Sequence, residues 1–134
     1  MDEKTELLGR VPLFAECSDE ELEAIAALTA DFRLSGGREL MAEGEIGRAL
    51  IVVVEGEVVV DRDDERIAEG GPGDFFGEIA LLTGRPRTAT VTATTDARVL
   101  VLDGHRFEQL LQEVPTIAVG ILKAVAERLV PRSD

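Results

Sequence analysis

The sequence predicts an α+β fold, mainly β: a small antiparallel β-sandwich or jelly-roll barrel flanked by an N-terminal helix and two C-terminal helices. Three observations predict it. Between residues 38 and 103, short runs of Val, Leu and Ile alternate with Gly-, Asp- and Pro-bearing turns, at the spacing of about 8–12 residues typical of small all-β units. Before that region, Ser18-Asp19-Glu20-Glu21 forms a capping box ahead of apolar residues at helical spacing. After it, helical spacing returns and is interrupted by Val114-Pro115.

In the capping box, Ser18 accepts from the backbone N–H near Glu21, whose carboxylate reaches back. Leu22, Ile25, Ala26 and Thr29 then share one helical face. This helix is expected to end near Asp31, before the turn Ser35-Gly36-Gly37, so residues 1–37 read as an N-terminal helical part. Leu50–Val54, Val58–Val60 and Arg98–Leu102 are predicted strands, and Thr88–Ala93 alternates polar with small apolar residues. Turns fall at Gly44–Gly47, Glu55-Gly56-Glu57, Asp61–Asp64 and Gly70–Asp74. Asp103 is the expected N-cap of a helix over 104–113. A second helix follows Pro115, with Ala118, Ile121, Leu122, Val125 and Leu129 on one apolar face, and stops at Pro131. Residues 104–130 thus read as hinge and lid helices. There is no internal repeat and no interdomain linker, and 1–134 reads as one domain.

Composition narrows the function. The chain has 45% hydrophobic and 31% charged residues, ordinary for a globular protein. Its apolar runs are far shorter than the ~20 residues of a membrane-spanning helix. Its acidic N-terminus lacks the basic start and apolar stretch of a signal peptide. The single cysteine, Cys17, allows no internal disulfide, which fits a reducing, cytoplasmic setting. It reads as a half-buried small residue, and His105 as a solvated one. The net charge is −13, with 27 acidic and 14 basic residues, and the basic residues are scattered. Direct nucleic-acid binding draws on clustered Lys and Arg, so the charge argues against it. An anionic ligand would have to be held by locally aimed groups.

Such groups lie between Phe76 and Ala93. Gly77 precedes the apolar run Glu78–Leu82, closed by Thr83-Gly84, so about one helical turn with a glycine entry is expected. The first turn has unpaired N–H groups and a partial positive charge that suit a phosphate, and Gly77 allows close approach. Arg87 follows in an extended segment and can give two parallel hydrogen bonds to phosphate oxygens. Glu78 repels a phosphate but accepts from hydroxyls, and a ribose 2′-OH beside a cyclic phosphate is such a donor. Taken singly, these residues have plainer readings. Glu78 would stabilise a helix N-terminus, Arg87 would be a surface arginine and Thr88 a structural strand threonine.

Taken together, Phe76-Gly77-Glu78, the turn through Ala80-Leu81-Leu82 and Pro86-Arg87-Thr88-Ala89-Thr90-Val91 resemble the phosphate-binding cassette of the cyclic-nucleotide-binding domain family, the sensor module of cyclic-AMP receptors and protein-kinase regulatory subunits. Val11-Pro12-Leu13-Phe14, Glu43-Gly44, Glu55-Gly56-Glu57-Val58 and Gly71–Phe76 extend the resemblance over nearly the whole chain. It implies a ligand-binding set of Phe76, Gly77, Glu78, Ile79, Ala80, Arg87, Thr88 and Ala89. Gly77 to Ala80 would meet ribose and phosphate, Arg87 would hold the phosphate, and Thr88 would contact the phosphate and is a candidate for reading the base. Leu122, Val125 and Leu129 are candidates for a lid over the purine.

By the same resemblance the function is non-catalytic sensing of a cyclic mononucleotide, signalled by rearrangement of the C-terminal helices. Cyclic AMP is the expected ligand. Cyclic GMP is the alternative, since a Thr after the phosphate arginine favours it in part of the family by bonding the guanine amino group. No cofactor and no metal are expected. A cupin-type enzyme would need two or three histidines, and the chain has one. The chain ends without room for the helix-turn-helix of a cyclic-AMP-receptor transcription factor. A protein partner, or an effector segment of a larger protein, is therefore expected to take the signal. The apolar face of the last helix offers a route to a homodimer.

Overall fold

A computed structural model of the chain describes residues 2–129, leaving aside the side chains of 124, 128 and 129. These residues form two compact units, Thr29–Gly104 and a helical unit from 2–28 and 105–129.

The β unit consists of two four-stranded antiparallel sheets. One has the order β1 (Ala30–Leu34), β8 (Ala97–Asp103), β3 (Ala49–Glu55), β6 (Phe75–Phe76). The other has the order β2 (Glu39–Met41), β7 (Thr90–Ala93), β4 (Val58–Arg62), β5 (Glu65–Gly70). Alternate residues of both sheets meet in one core: Ile51, Val53 and Val99 from the first, Met41, Val58, Val60 and Val91 from the second. This period of two is what a strand dictates when one face is buried. The sandwich expected from the turn spacing is therefore present, as two sheets and not as a closed barrel.

Its first strand departs from expectation. The helix α2 (Asp19–Leu28) opens with the capping box, Glu21 N–H donating to Ser18 Oγ at 3.1 Å and Ser18 N–H to Glu21 Oε1 at 2.8 Å. It stops at Leu28, not near Asp31. Ala30–Leu34 instead pairs with β8, from Ala30↔Val101 to Leu34↔Ala97. The reason is tertiary: Ala30, Phe32 and Leu34 do alternate with Asp31 and Arg33, but over only five residues directly after a helix. β1 is an edge strand whose middle residues are exposed, Phe32 by 49%, and the ladder to β8 decides its structure. The β unit thus starts at residue 29 and not at 38.

The helical unit also contains α1 (Glu3–Gly9), capped by Asp2, and a 3-10 turn, η1 (Pro12–Phe14). Its other helices, α4 (Gly104–Glu113) and α5 (Thr116–Leu129), fall where Asp103 and Val114-Pro115 place them. Leu8, Phe14, Ile25, Phe107, Leu110 and Ile117 are fully buried. The apolar face of α5 differs from expectation: Ile117 and Ile121 are buried, Ala118 and Val125 half-buried, and Leu122 is 69% exposed. The cause is Gly120, where any Cβ would collide with the Leu13 carbonyl of η1. That close approach fixes the inward side of α5, and Leu122 lies about 200° round the helix from it. Cys17 is half-buried, and burial, then Glu21 and Glu16, push its thiol pKa up. Among the described residues no helix is long and apolar enough to cross a membrane. The predicted stop at Pro131 and the last residue of the lid segment, Val130, lie outside the described residues.

Candidate functional site

The glycine-entered turn is α3 (Glu78–Thr83). Gly77 is its N-cap at φ 94°, and Gly84 ends it at φ 74°, both in the left-handed region. The first intrahelical bond runs from Leu81 N–H to Gly77 O at 3.0 Å, so the amides of Glu78, Ile79 and Ala80 have no partner within the helix. Gly84 N–H donates to Ala80 O at 2.9 Å, and Thr83 Oγ1 donates to Ile79 O at 2.6 Å. The carbonyl of Leu81 receives both Arg48 Nε at 3.1 Å and Arg48 Nη2 at 2.9 Å. A six-residue helix, too short to be stable by itself, is thus held at its C-terminal end.

Arg87 is set opposite its entry. The backbone of Arg87 is clamped to the β2–β3 loop, its N–H donating to Glu45 O at 2.9 Å and its carbonyl accepting from Gly44 N–H at 2.8 Å. The side chain points inward and is only 8% exposed. Its Nη1 donates to Ala49 O at 3.2 Å and lies 3.7 Å from the Met41 sulfur. Its Nε is buried and finds no hydrogen-bond partner among the described residues. Burial lowers the pKa of the guanidinium, and the Glu45 carboxylate partly offsets this. An arginine remains charged under such a shift. A buried cation with an unsatisfied N–H is costly unless an anion completes it. Gly77 makes the approach possible: a Cβ there would strike Ala49 O and lie 2.6 Å from Arg87 Nη1.

Gly77, Glu78, Ile79, Ala80, Arg87 and Thr88 together line a cavity of about 20 Å³, with Met41 as a seventh member. Six of the eight residues singled out in the sequence therefore converge. The other two pack differently: Phe76 lies against the sandwich core, and Ala89 is a buried part of that core. Sequence reasoning missed Met41 and Glu45. Met41 carries no motif signal, since β2 spans three residues, and Glu45 reads only as part of a turn. Of the lid candidates, Leu122 is exposed and Val125 half-buried, and the Leu129 side chain lies outside the described residues. Among the described residues, no three His, Cys, Asp or Glu side chains are grouped to share a metal ion.

Comparison with known proteins gives the family. The cyclic nucleotide-binding domain family matches residues 32–114, more than half of the chain. A cyclic nucleotide-gated potassium channel of Rhizobium etli is 37% identical over 92% of this chain and 34% of its own length. A CRP-like cAMP-activated global transcriptional regulator of Mycobacterium tuberculosis is 31% identical over 92% of this chain and 58% of its own. The chain thus spans less than two thirds of either relative. The crystal structure of the N-terminal domain of a Streptomyces coelicolor transcriptional regulator is 38% identical, with a TM-score of 0.77, and covers 92% of this chain and 91% of that one. With a sandwich of the same kind, a cassette that converges on a buried arginine and a family match across both, this chain belongs to the cyclic nucleotide-binding domain family.

Proposed function

We propose that this chain is a non-catalytic sensor of a cyclic purine mononucleotide, and that it transmits occupancy by moving the helices that follow Gly104. The observation that carries the reading is the buried Arg87 fork with its unpartnered Nε, in a cavity that it shares with Gly77 and the first turn of α3. A cyclic phosphate supplies the missing acceptor, and each charge-assisted bond is worth roughly 1.5–3 kcal/mol. Glu78, at the start of α3 and lining the same cavity, is the acceptor for the ribose 2′-OH in this reading. A cavity of about 20 Å³ has room for about one water-sized group. Ribose and base therefore lie beyond it, and α3 adjusts as the phosphate seats.

One residue supports a route for the signal. Arg48 grips the Leu81 carbonyl of α3 and, through its own carbonyl, accepts from Gly104 N–H at 2.9 Å at the start of α4. A shift of α3 therefore pulls on the residue that starts α4. Leu122, Val125 and Leu129 complete this reading as a lid over the base. A partner protein, or a further segment of a larger protein, takes the signal in the cytoplasm. The Mycobacterium relative is named for activation by cAMP, which makes cyclic AMP the first ligand to test. Isothermal titration with cyclic AMP and cyclic GMP is the experiment. Binding at sub-millimolar ligand that is lost in Arg87→Ala is the expected result. No heat from either nucleotide, or unchanged binding by the variant, refutes the proposal.

A further inference from the structure

A second arginine, which the family reading leaves without a role, stands beside the cassette. Arg62 is the last residue of β4. Along this strand Val58 and Val60 point into the sandwich core, and the period of two puts Arg62 on the same face. The ladder to β7 runs Val58↔Ala93, Val60↔Val91, Asp61↔Thr90. Its continuation sets Arg62 opposite Ala89, one strand spacing of about 4.8 Å away. There Arg62 Nε donates to the carbonyl of Thr88 at 2.9 Å. Thr88 lines the cavity with Arg87.

The guanidinium is thus fixed at one corner by its Nε, on a residue that is exposed. Among the described residues its two terminal nitrogens make no further hydrogen bond or ion pair. The nearby carboxylates are otherwise arranged. Asp61 pairs with Arg66 at 3.1 Å, Glu43 accepts from Asp63 N–H at 3.0 Å, and Glu65, opposite Arg62 in the β4–β5 ladder, forms no ion pair with it. An anchored fork with free donors, one strand from the phosphate arginine, suits a planar acceptor edge.

We infer that Arg62 is a base-specificity residue that tilts this site toward guanine-type purines; the inference rests on the nucleotide reading above. Guanine presents two acceptors, O6 and N7, on one edge, whereas adenine presents N7 beside the N6 amino donor. A fork of donors satisfies both positions of the first and meets a donor in the second. Arg62 therefore improves the affinity for cyclic GMP relative to cyclic AMP, whichever binds more tightly overall. At an exposed position the effect is about 5- to 30-fold, the lower part of the range for a bidentate arginine–guanine pair.

The test titrates the intact protein, Arg62→Val and Arg62→Lys with cyclic AMP, cyclic GMP and cyclic IMP. Cyclic IMP keeps O6 and N7 but lacks the 2-amino group, so it separates Arg62 from any contact made by Thr88 to that group. Both variants are expected to weaken cyclic GMP and cyclic IMP by about 5- to 30-fold and to leave cyclic AMP within about twofold. Arg62→Lys keeps the charge, and its result stands even where the valine variant folds poorly. Equal weakening of all three ligands would place Arg62 on the phosphate and overturn the inference. Weakening of cyclic GMP without cyclic IMP, or an unchanged ratio, overturns it as well while leaving the sensor reading intact. No binding of any nucleotide by the unaltered protein overturns both.

Discussion

Gly77 and Gly84 bracket the same short helix in the same backbone region, and only one of them is crowded. Their alanine variants therefore separate backbone strain from close approach. Both sites have φ well inside the left-handed region, 94° and 74°, where a side chain costs about 1–2 kcal/mol. At Gly84 nothing lies within 4 Å of an added Cβ. Gly84→Ala should then lose that amount in urea unfolding and bind nucleotide within about threefold of the original. At Gly77 the Cβ meets Ala49 O and sits 2.6 Å from Arg87 Nη1. The methyl must displace the guanidinium, and with it the Nη1 bond to Ala49 O at 3.2 Å. A hydrogen bond to a charged group is worth about 1.5–3 kcal/mol. Gly77→Ala should therefore lose about 3 kcal/mol or more of stability. Because the phosphate arginine has moved, nucleotide affinity should fall roughly 10- to 150-fold in calorimetry. Equal stability losses at the two positions, or unimpaired binding by Gly77→Ala, would refute the argument that Gly77 exists for the arginine.

Further outcomes follow from other contacts. Arg48→Ala removes both bonds to Leu81 O; a loss of about 1.5–3 kcal/mol and faster amide exchange over 78–84 are expected, and unchanged exchange would show that α3 holds itself. Gly120→Ala ought to stabilise an ordinary helix by about 1 kcal/mol, but here the Cβ collides with Leu13 O, so thermal unfolding should show the opposite sign. The Glu21 carboxyl is held below its usual range, first by the Ser18 backbone N–H and then by the Thr116 side chain. Its contribution is full above the unfolded value, about pH 4.3, and is lost as pH falls through the lower folded value. Glu21→Gln should therefore flatten the decline in urea midpoint between pH 7 and pH 3.

The cassette is legible because its chemistry is local. Gly77, Glu78, Arg87 and Thr88 lie close in sequence, and the turn between them is set by its own glycines. The capping box at Ser18 is legible for the same reason, and so are the bounds of α4. What escapes is decided across the fold. β1 has exposed central residues and exists because β8 offers it a ladder. Leu122 belongs by spacing to the face of α5 but is turned outward by the docking of Gly120 on η1. Met41 joins the site because β2 runs beside β7, and Arg62 stands next to Thr88 through strand pairing over 26 positions of sequence. No periodicity within a short window contains these neighbours.

The unsatisfied Nε of Arg87 makes the choice of buffer part of any measurement on this protein. On the proposed function, inorganic phosphate and sulfate carry the same acceptor oxygens as a cyclic phosphate and would compete for the same fork. By mass action they raise the melting temperature as their concentration rises. A nucleotide titration in phosphate buffer is then a displacement, and it reports an affinity weaker than one in a buffer of bulky zwitterions by the factor of anion occupancy.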